Sequence, residues 1–153
     1  MEGPVKHATP LRKTLQELFA TQSLAVLATQ DESQPYGSLV AFAATQDLKH
    51  LLFATTRATR KFGNLTRNPK VALVIDDRAN QEGDFHRATA VTAMGSVAEV
   101  NGPERKRLLD LYLHKHPYLR EFASSPTCAL VRVSVDTYYV VSQFQNVMQL
   151  SMK

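Results

Sequence analysis

The sequence predicts a mainly β (α+β) domain, in which a six- to seven-stranded antiparallel barrel is flanked by two or three helices. Short apolar runs separated by polar turns recur along the chain, and the first three follow one another with no helical segment between them. Strands joined by short turns pair antiparallel, whereas parallel pairing needs a long crossover. The pattern therefore favours an antiparallel barrel over a doubly wound parallel sheet.

The first quarter of the chain predicts a helix followed by a three-stranded meander. In "TPLRKTLQELFATQ", Thr9 is a plausible N-cap and Pro10 the first helical residue, and four apolar residues share one helical face: Leu11, Leu15, Leu18 and Phe19. Alanine- and valine-rich runs follow, separated by the turns "QDESQP" and "TQDLKH". They predict three consecutive strands, the last of which is "LLFATT".

The rest of the chain alternates further strands with two helices. Residues 59–68 predict a short helix that ends before Pro69, because a residue preceding proline is steered away from helical angles. The strand "KVALVID" follows, and then "ATAVTAMGSVAEV", in which Gly95 marks a bulge or a close backbone approach. A helix is predicted in "NGPERKRLLDLYLHKH", with Pro103 near its start. The runs "TCALVRVSV" and "TYYVVSQF" predict a last hairpin that turns at Asp136 and Thr137.

Length and composition favour one soluble domain over residues 1–153, with residues 1–8 as a flexible tail. The hydrophobic fraction of 44% and charged fraction of 21% are ordinary for a globular protein. No apolar run approaches the roughly 20 residues of a membrane span, and the N-terminus lacks the apolar stretch of a secretory signal, so we expect a cytoplasmic protein. The single cysteine, Cys128, is predicted to be a buried thiol.

The segment "TTRATRKFGNLTRNP", residues 55–69, contains the strongest candidate site. If Thr59 caps the short helix, the unpaired N–H groups and positive dipole end of that helix lie beside Arg60 and Lys61. The hydroxyls of Thr55 and Thr56 add neutral donors. The composition of the segment leaves two interpretations open, an anion site and a solvated basic loop.

Other polar groups form weaker candidates. His114 and His116 are two residues apart, so on a helix they project in nearly opposite directions and do not share a metal ion. Asp84 and His86 are expected in a solvated loop. The aspartates that end the strand "KVALVID" are expected to stabilise a turn. No Gly-x-Ser-x-Gly, paired-cysteine or Walker motif is present.

The order "QPYGSLVAFA", "LLFATTRATRK", "NLTRNPKVALVID", "AVTAMGSVAEV" and "YYVVSQF" resembles the FMN-binding split-barrel family that includes the pyridoxamine 5′-phosphate oxidases. The resemblance covers residues 11–145. Its most specific part is a Thr-Arg-Lys triplet after a strand, followed by a short helix and Asn-Pro. It implies that Thr59, Arg60 and Lys61 contact the flavin phosphate and that Thr55 lies close to the flavin. Three residues are implied to border the isoalloxazine ring: Ser38, Leu39 and Val40.

The same resemblance implies a homodimer with the flavin at the subunit interface, where residues of the second subunit complete the site. By position, those residues are Val91, Thr92, Gln143 and Phe144. A self-complementary dimer also suits a small barrel with apolar strand faces to bury.

The implied function is that of an FMN-dependent oxidoreductase acting on an unknown small molecule. The chain lacks the C-terminal Arg-x-His element of the pyridoxamine 5′-phosphate oxidases, which argues against vitamin B6 oxidation. Its last helix and strands resemble the haem-utilisation branch of the superfamily, although the histidine which that branch uses beyond the last strand is absent.

Three alternatives to an FMN enzyme remain from the sequence. The first is a non-catalytic carrier of flavin or haem. The second is a protein that binds the deazaflavin F420 in place of FMN. The third is a nucleic-acid-binding barrel that uses the basic run and three aromatic residues, Tyr36, Phe53 and Phe62.

Overall fold

The computed structural model describes residues 5–143 and 146–153. The strands are β1 (Leu24–Asp31), β2 (Gln34–Ala44), β3 (His50–Thr56), β4 (Lys70–Asp76), β5 (Thr89–Glu99), β6 (Cys128–Ser142) and β7 (Asn146–Ser151). The helices are α1 (Val5–Thr21), α2 (Arg60–Arg67), α3 (Asp84–Arg87), α4 (Glu104–Lys115) and α5 (Arg120–Ser124), with a 3₁₀ turn at Pro117–Leu119.

Six of these strands close into an antiparallel barrel, as predicted. The hydrogen-bonded order is β3-β2-β1-β4-β5-β6, and pairing between β3 and β6 closes the ring. β6 is long enough to pair with two different strands along one of its edges. Its first half pairs with β3, and its second half pairs with the extra strand β7.

Alternation along each strand divides the residues between a packed interior and an outer face. In β1 the interior residues are Ala25, Leu27 and Thr29, and the outer residues include Leu24, Val26 and Ala28. Helix α1 closes the barrel with the four apolar residues predicted for its buried face, and the Phe19 ring meets the Phe42 ring edge-on at 5.7 Å. The barrel and α1 thus share one core.

The start of α1 differs from the prediction. The helix begins at Val5, so Thr9 and Pro10 lie inside it, and the predicted N-cap at Thr9 is wrong. Proline favours the first helical position but does not prevent another turn on its N-terminal side. The expected tail over residues 1–8 overlaps the helix at residues 5–8, and residues 1–4 lie outside the described part of the chain.

Helix α4 packs on the outside of the barrel through a second apolar cluster with β2, β3 and β6. The Tyr112 hydroxyl donates to the carbonyl of Ala41 (2.9 Å). At the end of α4, Lys115 Nζ donates to the carbonyls of Phe19 and Gln22, both at 2.7 Å. These carbonyls lie at the C-terminal end of α1, where a cation is favoured, although burial lowers the pKa of Lys115 to about 8. Lys115 therefore ties α4 to α1.

The last predicted hairpin is wrong. Asp136 and Thr137 lie inside one continuous strand, β6, and the chain turns after Ser142. The register explains the polar pair: Met94 faces Thr137 and Gly95 faces Val135, so Asp136 is the extra residue of a β-bulge. Its carbonyl accepts from Met152 N (2.8 Å), beyond the end of β7. A polar pair within an apolar run indicated a turn, but here it marks a bulge.

Gly95 is both a bulge residue and a point of close backbone approach, which confirms the prediction for this position. A Cβ atom at Gly95 would lie 2.2 Å from the carbonyl oxygen of Ser134, which is backbone and cannot rotate away. A Cβ atom at Gly37 in β2 would lie 3.9 Å from the nearest Val26 carbon, an ordinary contact.

We expect Gly95→Ala to lower the free energy of unfolding by about 2 kcal/mol or more, because the two strands must separate to accept the methyl group. Gly37→Ala is the matched control and should change it by less than about 0.5 kcal/mol. Urea denaturation followed by circular dichroism measures both. Equal midpoints for the two variants would contradict the close approach at Gly95.

Candidate functional site

The candidate anion site lies where β3 ends and α2 begins. Thr59 has extended backbone angles (φ −85°, ψ 155°), and its hydroxyl accepts from Phe62 N at 3.2 Å, so it is the N-cap that the sequence predicted. Arg60 and Lys61 are the first two residues of α2, and no acidic residue lies in this turn. Cations at the positive end of a helix are unfavourable unless an anion accompanies them.

The buried hydroxyl of Thr55 contacts the hydroxyl of the N-cap residue, Thr59. Thr55 is 1% exposed, and its Oγ1 lies 3.0 Å from Thr59 Oγ1. Both hydroxyls also lie 3.1 Å from the carbonyl of Thr56. The two hydroxyl groups have two hydrogens to share among these three contacts, all of which lie within the protein. Thr55, at the end of β3, therefore helps to fix the position of Thr59.

The four cations of residues 55–69 have different partners. Arg57 binds Glu99 at 2.7 Å and the carbonyl of Pro126 at 2.8 Å, and the pKa of Arg57 is raised through its hydrogen bond with Glu99. Arg67 lies 3.4 Å from Asp31. Within the part of the chain that the structure describes, Arg60 and Lys61 form no ion pair. Arg60 and Lys61, at the start of α2, are therefore the two cations of this segment that have no carboxylate partner among the described residues.

Ser38, Leu39 and Val40 do not share a face of β2. Ser38 and Val40 point to the barrel interior, since Ser38 pairs with the interior residue Leu27, whereas Leu39 is 66% exposed on the outer face. The Ser38 hydroxyl oxygen is shielded from solvent and has no hydrogen-bond partner among the described residues. Buried hydroxyl groups normally have a hydrogen-bond partner, so this one is free to bond to a ligand.

The residues expected to complete the site from a second subunit also lie on different sides of the barrel wall. Val91 is buried in the barrel core, whereas Thr92 lies on the outer face of β5. Gln143 is exposed at the turn after β6, with φ +48°. Phe144 lies outside the described residues.

The outer face around Thr92 is apolar over several strands. One row of cross-strand partners runs Leu39, Val26, Val74, Thr92 and Tyr139. Three of these side chains are large, apolar and exposed: Leu39, Val74 and Tyr139. We call these five residues the outer row. A concavity of 480 Å³ lies beside it between β1, β2 and β4.

Two contacts at this site were missed by the sequence analysis. Arg60 lies over the Tyr36 ring at 5.6 Å from its centroid, and Asn64 Nδ2 donates to Thr29 Oγ1 at 3.1 Å. For Tyr36 the sequence predicts only base stacking. An asparagine in the middle of a short helix was a usable signal, because such residues favour caps and turns over helix interiors.

The weaker candidates have structural roles. Asp84 accepts from the N–H groups of Ala79 and Gln81, which lower the pKa of its carboxyl, and Asp77 accepts from Thr89 N. Cys128 is buried, as predicted, and burial raises the pKa of its thiol. No cluster of metal-binding residues occurs among the described residues.

His114 and His116 also lie apart. His114 is exposed on α4, whereas His116 is buried beyond its end. His116 Nε2 lies 2.7 Å from the Phe42 carbonyl, so this nitrogen carries the proton, and Nδ1 faces the Tyr118 hydroxyl at 3.3 Å. Both ring nitrogens are engaged within the protein.

The nucleic-acid alternative loses support. Phe53 is fully buried, so its ring cannot stack on a base, and Phe62 is half-buried against the core.

No helix within the described residues is long and apolar enough to cross a membrane.

Solved structures with the same architecture place the protein in the split-barrel class. The structure is similar to a haem-binding protein from Mycobacterium smegmatis, with a TM-score of 0.81, 13% identity, and coverage of 92% of this chain and 57% of that one. It is similar to ChuZ from Campylobacter jejuni (TM-score 0.79, 14% identity, 94% and 60%) and to a FAD-binding protein from Mesorhizobium loti (0.66, 15%, 84% and 89%). The chain thus spans about three fifths of the length of the first two proteins. Identities this low show the fold alone.

The particular family follows from the sequence. The family model for pyridoxamine 5′-phosphate oxidase matches residues 11–142, and the chain therefore belongs to that family. No curated protein sequence matches it.

Proposed function

We propose that this protein binds FMN and is a flavin-dependent oxidoreductase that acts on a small molecule. The observation that carries the proposal is the pair of cations at the capped start of α2, Arg60 and Lys61, neither of which forms an ion pair with a described residue. Membership of the pyridoxamine 5′-phosphate oxidase family supports a flavin as the ligand.

The donor set fits a phosphate dianion. Arg60 offers a planar fork for two oxygens, and Lys61 offers a mobile point charge. The N–H groups of the first turn of α2 lie at the positive end of its dipole. Thr59, fixed by Thr55, keeps this turn in place. The shielded Ser38 hydroxyl would gain a partner from a ligand that reaches the barrel.

The flavin ring would lie against the outer face, where the exposed Leu39 and the 480 Å³ concavity provide an apolar surface. FMN supplies the hydride or electron transfer when it is bound. The chain would bind the phosphate through Thr59, Arg60 and Lys61, orient the ring against β2, and exclude water with apolar side chains. Ser38 and Val40 would contribute from the interior side of β2, and Leu39 from the outer side.

A second copy of the chain would cover the outer row. A small barrel gains little from exposing this many apolar side chains, and a self-complementary contact buries them in both copies. In such a homodimer Thr92 faces the contact directly, whereas the buried Val91 would act by holding the backbone of β5. Gln143, at the exposed turn, would reach the partner's site.

The cofactor itself is the first test. We expect the purified protein to be yellow and to release FMN, identified by its mass, which distinguishes FMN from F420, FAD and haem. Anaerobic reduction by NADH or NADPH, followed by reoxidation with a panel of small acceptors, distinguishes an enzyme from a carrier. A colourless protein that does not retain added FMN would contradict the proposal.

The phosphate site is tested by Arg60→Ala/Lys61→Ala. Loss of two charge-assisted contacts should weaken FMN binding by about 100-fold or more, and riboflavin binding by less than about threefold. Lys106→Ala/Arg107→Ala is the matched control, since it removes an adjacent pair of exposed cations from the start of α4. Fluorescence titration of the wild type and the two double variants with each ligand gives the six dissociation constants. Equal losses for FMN and riboflavin would show that the two cations do not bind the phosphate.

The dimer is tested by Leu39→Asp. A carboxylate in the outer row should prevent the contact between copies because burying it unpaired is costly, while the exposed position leaves the fold intact. Light scattering should change from twice 17.1 kDa to 17.1 kDa. Phe122→Asp, at an exposed position on α5 outside the outer row, should leave the mass unchanged. A monomeric wild type would contradict this interface.

A further inference from the structure

Helix α2 packs against the core through Phe62 and Leu65, but its side toward the β1–β2 hairpin carries polar residues. Arg60, Asn64 and Arg67 occupy positions i, i+4 and i+7, so they lie on one side of the helix. All three contact the β1–β2 hairpin. Arg60 lies over Tyr36, Asn64 donates to Thr29, and Arg67 lies 3.4 Å from Asp31.

The central contact is fully buried. Asn64 is 0% exposed and Thr29 is 3% exposed, and Asn64 Oδ1 also accepts from Arg67 Nη2 at 3.2 Å. Burying an amide is unfavourable unless its hydrogen bonds are made, and a leucine would fill similar volume without this requirement. Apolar contacts tolerate rotation and sliding of a helix. A hydrogen bond between two buried side chains does not, because it is lost when its geometry changes.

Thr29 and Tyr36 are cross-strand partners in the hairpin, and both side chains lie on the same face of it. One cross-strand pair of residues therefore contacts α2 at two successive turns. Tyr36 holds the guanidinium of Arg60 by a cation–π contact, and Thr29 holds Asn64 one turn later. These contacts set the direction of the helix axis and the place of the Arg60 guanidinium.

We propose that the β1–β2 hairpin, through Thr29 and Tyr36, is the positioning element of the phosphate site at the start of α2. Thr29, Tyr36 and Asn64 are positioning residues, which act on the phosphate through Thr59, Arg60 and Lys61. The inference rests on the proposed function, since it requires that the site bind a phosphate.

The readout is the phosphate preference, defined as the dissociation constant of riboflavin divided by that of FMN. Thr29→Val replaces the hydroxyl by a methyl group of the same shape, and Thr29→Ser keeps the hydroxyl. We expect Thr29→Val to lower the preference about tenfold and Thr29→Ser to leave it within about twofold. Tyr36→Leu should lower it severalfold and Tyr36→Phe, which keeps the ring face, should not.

The double variant Thr29→Val/Asn64→Leu separates positioning from stability. Replacing both polar partners by apolar groups restores packing, so the urea midpoint should recover relative to Asn64→Leu alone. The phosphate preference should stay low in the double variant, because the directional bond is still absent. Circular dichroism establishes that each variant is folded before titration.

The outcomes are distinct. A wild type that binds FMN no better than riboflavin, or binds neither, overturns the phosphate site and this inference with it. A wild type that prefers FMN, together with Thr29→Val and Tyr36→Leu variants of unchanged preference, overturns the positioning role alone. Equal loss of both ligands in these variants has the same meaning, since it indicates a general structural role.

Discussion

The pairing of β3 with β6 is the constraint on which the rest of the structure depends. It closes six strands into a barrel and fixes the end of β3, where Thr55 lies. On one side, β6 pairs first with β3 and then, beyond the bulge at Asp136, with β7; on its other side it pairs with β5 from residue 131 to residue 142. The position of the end of β3 determines where α2 begins, because only three residues separate β3 from the helix.

The hairpin supplies the second support for α2. A helix of two turns has little stability of its own, and its direction depends on its contacts. α2 is held by the apolar packing of Phe62 and Leu65 against the core and by the polar contacts to β1 and β2. The same contacts engage Arg67 and leave the charge of Arg60 without a carboxylate. Packing and electrostatics thus select which cations of the basic segment face a ligand.

Local signals in the sequence predicted the barrel, the Thr59 cap, the end of α2 before Pro69 and the bulge at Gly95, because each depends on a few neighbouring residues. The partners of Arg57 and Arg67 could not be predicted in this way, since Glu99 and Asp31 lie 42 and 36 positions away in the sequence. The hairpin at Asp136 was wrong because a polar pair in a strand signals a turn or a bulge alike, and only the register of β5 decides between them. The inward direction of Ser38 and Val40 followed from strand alternation, once the register was known.

The start of α2 departs from the usual charge pattern of helices in a way that favours function over stability. Acidic residues normally occupy the first turn, where they interact well with the dipole, yet this turn carries Arg60 and Lys61 and no acid. Neighbouring like charges at the positive end of a helix are unfavourable in the free protein. A bound dianion attracts both cations and the positive end of the helix, and these attractions offset the repulsion, so the unfavourable charge arrangement of the free protein favours binding of an anion. A segment that violates a local stability rule beside well-satisfied contacts, such as Thr59 with Thr55 and Asn64 with Thr29, is the pattern expected of a binding site.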